Sequence, residues 1–125
     1  MPASAATAIR VVIITLDNHL SGAVQRAQAR LARENPGVTI GFHAAADWEE
    51  TPEKLEAART DIARGDIVLM TMLFLEDHIR AVLPVLQARR DECDAMIGLM
   101  SAGDVVKLTR MAIIAWTSRR PACSG

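Results

Sequence analysis

Three histidines, His19, His43 and His78, stand where apolar runs give way to polar segments. Imidazole near neutral pH serves as a metal ligand or as an acid–base group. Two of the three sit among carboxylates or amides, in Asp17-Asn18-His19 and Glu76-Asp77-His78. No HxH or HExxH pair fixes two ligands on one element, and magnesium would prefer oxygen ligands, so the residues do not specify a metal site. Glu76-Asp77 reads first as negative charge on the first turn of a helix, where the macrodipole favours it by about 0.3–1 kcal/mol. A docking edge comes second and a catalytic dyad third. Ser101-Ala102-Gly103-Asp104 could present backbone N–H groups to an anion, but Asp104 would repel a phosphate there. The chain has no GxGxxG, no GxxxxGK[ST], and no Ser/His/Asp or Cys/His arrangement. Cys93, between Glu92 and Asp94, is expected to have a raised pKa and low reactivity. The candidates for a polar crevice are Asp17, His19, Glu76, Asp77, His78 and Ser101, with no catalytic residue and no metal ligand assigned.

These residues need elements to position them. Four apolar runs mark strands: residues 9–16, 38–43, 66–75 and 94–100. The first and third are near-continuous and β-branched, the pattern of strands covered on both faces of a parallel sheet; the second alternates more and belongs nearer an edge. A helix is expected after each. The first covers 20–34, with Ala23, Ala27, Leu31 and Val24 inward, and stops at Asn35-Pro36-Gly37. The second opens on Thr51-Pro52, an N-cap followed by Pro at the first position, and runs through Leu55, Ala58 and Ile62 to Arg64-Gly65. The third covers 75–90 with Ile79, Val82, Leu83 and Leu86 inward, and Pro84 should kink or split it. The fourth follows Ser101-Ala102-Gly103 and holds Val105, Val106 and Leu108. Strand–helix alternation with right-handed crossovers gives an α/β fold: an open, doubly wound, mostly parallel sheet of about four strands, order 2-1-3-4, with helices on both faces. Ligands of such sheets sit outside the carboxyl ends of the strands, where these loops lie.

With 125 residues the chain has one-domain length, and half of it is hydrophobic. A net charge of −1 and 3% aromatic content, with no Tyr, give no basis for nucleic-acid binding. The apolar runs are too short for a transmembrane segment, and Cys93 and Cys123 form no CxxC. Residues 1–8 read as a disordered leader and not as a signal peptide, so the expected location is cytoplasmic.

The stretches TLDNHL (15–20), FHAAADWEE (42–50), MLFLEDHIRAVLP (72–84) and RRDECDAMIGLMSAGDVVKLTRM (89–111) resemble the N-terminal domain of the porphyrin-binding H subunit of magnesium chelatase, over residues 9–111. The resemblance implies a part in (bacterio)chlorophyll synthesis. There the family subunit binds protoporphyrin IX and, with two ATPase subunits, inserts Mg²⁺ at the expense of ATP. It implies as partners the remainder of the H subunit and those two ATPases. The family's porphyrin-handling residues lie downstream of this segment, so no cofactor is assigned to this chain, which should be inactive alone. A stand-alone flavodoxin-like binding module and a relative of the cobaltochelatase large subunit are the alternatives. After LTRM the family usually continues with Gly, an aromatic two residues later, then Met, whereas this chain reads AIIAWTSRRPACSG with no period suited to a fifth strand. With permitted codons for 111–118, one G restored after Met111 gives Met-Gly-Asn-Tyr-Arg-Met-Asp-Lys, a family-like continuation. Residues 112–125 are therefore read as an out-of-frame tail.

Overall fold

The computed structural model describes residues 8–111. The reading of residues 1–8 as a leader, but for its last residue, and that of 112–125 as a shifted tail lie outside the described residues. The elements are β1 (Ile9–Thr15), α1 (Ser21–Glu34), β2 (Val38–Ala44), a 3-10 turn (Ala45–Asp47), α2 (Pro52–Ala63), β3 (Ile67–Thr71), α3 (Glu76–Arg90), β4 (Ala95–Leu99), α4 (Gly103–Val106) and β5 (Arg110–Met111). The sheet order is β2-β1-β3-β4-β5, parallel except at the β4–β5 pair. The expected order 2-1-3-4 and the edge position of the second strand both hold. β5 is the addition. Thr109 Oγ1 accepts the Gly98 N–H at 3.0 Å, which brings Arg110 and Met111 back against Met96 and Ala95. A two-residue strand carries no periodicity, so nothing in the pattern announced it.

Alternation puts Val12, Ile14, Val68, Met70 and Met96 on one side of the sheet, all wholly buried. They pack with Ala58 and Ile62 of α2, with Ile79, Val82 and Leu86 of α3, and with Val105 of α4. Full burial of such a side chain stabilises the fold by roughly 1.5–3 kcal/mol. The inward residues expected of α2 and α3 are confirmed, with Leu55 and Leu83 partly buried at the margin. Val106 of α4 is exposed, because a helix of one turn presents a single residue, Val105, to the core.

The other side of the sheet carries two apolar rows across the strands, flanked at the carboxyl ends by Thr15, Thr71 and Leu99. One runs Ile40–Val11–Ile67–Ala95–Met111 and the other Phe42–Ile13–Leu69–Ile97. Of these nine only Ala95 is fully buried, so the first and third strands are not enclosed on both faces as their composition suggested. The crossover rule places α1 on this side, where it packs on β2 and the Gln28 side-chain oxygen accepts the Ile40 N–H at 2.6 Å. Its inward line is Ser21, Val24, Gln28 and Leu31; Ala23 and Ala27 are exposed, which corrects the expected face. The registration that wins is the one that brings Gln28 to an edge-strand donor otherwise left unpaired.

α3 forms a single helix across Pro84 and is not split. Pro84 and Arg80 both lie on its exposed side, where water can satisfy the Arg80 carbonyl that Pro84 cannot serve. Thr51 holds the N-cap position before Pro52 but makes no side-chain cap bond.

Candidate functional site

The six crevice candidates fall into three places. Asp17 and His19 form a local turn: the His19 N–H donates to Asp17 Oδ1 at 3.1 Å, and the His19 ring is largely exposed. Ser101 pins two loops together. Its hydroxyl donates to the Leu99 carbonyl at 2.9 Å and accepts the Leu73 N–H at 3.0 Å, so it is committed to backbone. Beside it the Met72 N–H donates to the Met100 carbonyl at 2.9 Å, and both methionines have positive φ, 60° and 45°. Two adjacent left-handed residues that are not glycine mark a strained rim at the carboxyl ends of β3 and β4. With α4 only four residues long, the Ser101–Asp104 stretch is a loop staple and not an anion cradle.

Glu76, Asp77 and His78 form the first turn of α3, as expected, with Leu75 at the N-cap position. Glu76 pairs with Arg80 one turn on, at 2.5 Å, on an exposed surface where such pairs contribute little. His78 turns inward. Its ring meets Trp48 edge-on, centroids 6.1 Å apart and planes at 75°. Together with Leu55, Leu75 and Ala81 these rings border a cavity of about 570 Å³ with Glu49, Glu76 and Asp77 around it. Trp48 Nε1 and His78 Nδ1 are both buried with no hydrogen-bond partner among the described residues.

His43 belongs to neither cluster. It lies on the α2 side of β2, and its Nε2 stands 2.8 Å from Asp61 Oδ2. Arg10 grips the same carboxylate with Nε and Nη2, each at 2.8 Å, and Arg64 Nε approaches at 3.5 Å. Asp61 is 3% exposed. Burial alone would raise its pKa, but the hydrogen bonds from Arg10 and His43 outweigh that cost and hold the carboxyl below its ordinary range. Gly41 makes the approach feasible, since a Cβ there would collide with the Asp61 carboxylate. A cavity of about 450 Å³ opens beside the group, with Glu53 and Glu56 on its wall. A His–carboxylate pair is half of a proton-transfer arrangement. Here both carboxylate oxygens are taken by guanidinium, so the cluster acts as a structural hub joining β1, β2 and α2.

The three histidines are thus kept apart. Among the described residues no three His, Cys, Asp or Glu side chains come together as a metal-holding group, and no helix is long and apolar enough to cross a membrane. The sequence reading missed the Arg10–Asp61 hub and Trp48. Asp61 was the available signal: it is a carboxylate on the same helical stripe as Ala58 and Ile62, where only a partnered charge belongs.

A family model described as a domain of unknown function, DUF3479, matches residues 10–118, which reaches into the segment read as out of frame. The magnesium-chelatase H subunit of Cereibacter sphaeroides is 50% identical over 101 residues, covering 81% of this chain and 8% of that protein. The magnesium-chelatase H subunit of Rhodobacter capsulatus is 43% identical over 101 residues, with the same coverage. The chain therefore spans a small fraction of the length of these curated relatives.

Proposed function

The chain belongs to the DUF3479 domain family, and from that premise we propose that it is the N-terminal α/β domain of an H-type magnesium chelatase subunit. In that reading the whole subunit binds protoporphyrin IX and, with two ATPase partners, inserts Mg²⁺ at the expense of ATP in (bacterio)chlorophyll synthesis, in the cytoplasm. The observation that carries it is the identity to two magnesium-chelatase H subunits over most of this chain. This domain is an accessory one. Supporting that role, Ser101 is spent on loop backbone, Glu76 on Arg80, and Asp61 on Arg10 and His43. The out-of-frame reading of 112–125 belongs to the same proposal, and the gene decides it: the neighbouring frame should continue into a long H-type sequence.

The test of function mixes the chain with the two ATPase subunits, ATP, Mg²⁺ and protoporphyrin. No magnesium porphyrin should form. When this segment replaces its counterpart in the Cereibacter sphaeroides protein, the chimera should form it. Product from the chain alone, or a folded but inactive chimera, would refute the assignment.

A further inference from the structure

Parallel sheets of α/β proteins are covered on both faces, and this sheet is fully covered on one. On the other side α1 packs on β2 and contributes no fully buried residue. Leu69 and Ile97 remain partly open, and Leu99 and Met111 are each 50% exposed. The two rows carry no charged or polar side chain and eight of their nine residues are partly or largely exposed, with Thr71 beside Leu99 the nearest polar neighbour, so an occupant must present an uncharged, apolar centre. Met111, the last described residue, lies in one of the rows, on the two-residue strand β5 at the edge of the sheet. In the two H-subunit relatives the matching segment is 8% of the length.

We infer that the open face over β1, β3, β4 and β5 is the seat of an apolar surface contributed by the remainder of an H-type subunit that carries this domain. The inference rests on the reading of this chain as one domain of such a protein. It adds which surface docks and what chemistry meets it.

The test compares cysteine labelling in the full chain and in the chimera described above. Leu99→Cys reports on the open face and Ala23→Cys, on the outer side of α1, serves as control. Both are made with Cys123→Ser, and maleimide uptake is read at each site by peptide mass spectrometry. In the chain alone both sites should label at similar rates. In the chimera Leu99→Cys should label at least tenfold more slowly while Ala23→Cys is unchanged. Equal rates at Leu99→Cys in the chain and in a chimera that makes magnesium porphyrin would overturn the inference and leave the domain assignment standing. A folded, inactive chimera removes both. Slow labelling of the chain alone also defeats the proposal: if dilution restores the rate, a second copy is the occupant, and if it does not, the chain covers its own face.

Discussion

Arg10 and Asp61, 51 residues apart, meet in a two-bond fork with Nε and Nη2 each 2.8 Å from a different carboxylate oxygen. The fork fastens α2 to β1, and His43 ties the same carboxylate to β2. Removing one partner of a buried pair leaves the other uncompensated, at a cost of about 3–5 kcal/mol, whereas apolar replacement of both is often neutral. Asp61→Ala should therefore destabilise by about 3 kcal/mol, at the low end because Arg10 is partly solvated. Arg10→Met/Asp61→Leu should recover part of that loss. Urea unfolding measures both, and a double variant less stable than either single one would contradict the account.

Gly41 and Asp61 should be coupled. A methyl at Gly41 displaces the carboxylate, so Gly41→Ala is expected to cost stability in the wild type and much less in an Asp61→Ala background. Contacting residues show interaction energies of about 0.5–3 kcal/mol in double-mutant cycles. Additive effects would place the clash elsewhere.

Acid should release the hub. The folded pKa of Asp61 lies below its ordinary 3.8. A carboxyl depressed by folding stabilises the fold above its unfolded value, and that contribution fades as pH falls through the folded one. The stability difference between wild type and Asp61→Asn should hold from pH 7 to 5 and shrink below about pH 4. Urea midpoints at pH 6 and pH 3 check this; a difference that grows in acid would reverse the sign of the argument.

The parallel order and the helix cores were legible because apolar runs and 3.6-residue periods report burial directly, as Ile79, Val82 and Leu86 show. The face of α1 was not: with no buried residue, its orientation is set by one polar contact, Gln28 to Ile40, that periodicity cannot see. The crevice candidates were legible as loop residues, but their grouping was not. Whether His43 joins His19 and His78 or turns to Asp61 depends on which side of β2 it occupies, and one step of register reverses that.

Cys93 illustrates a right direction with a wrong cause. Its thiol is pushed above the ordinary 9.0 by burial, with Arg89 pulling the other way, and not by the flanking carboxylates. Glu92 itself faces Arg89 and is largely exposed. In a Cys123→Ser background iodoacetamide at pH 8 should modify native Cys93 slowly and unfolded Cys93 quickly. Fast native modification would show that the β4 entrance opens.

Pro84 supplies the last test. It lies inside α3, is exposed, and withholds from the Arg80 carbonyl the N–H that any other residue would give. An interior Pro costs a helix about 3 kcal/mol relative to Ala. Water on the exposed side recovers part of that for the freed carbonyl, so Pro84→Ala should stabilise the chain by about 1–3 kcal/mol. The gain should appear in the urea midpoint with an unchanged m-value, since no core contact is altered. A loss of stability would mean that the ring sets an angle between the two halves of α3 on which the packing of Ile79 and Leu86 depends.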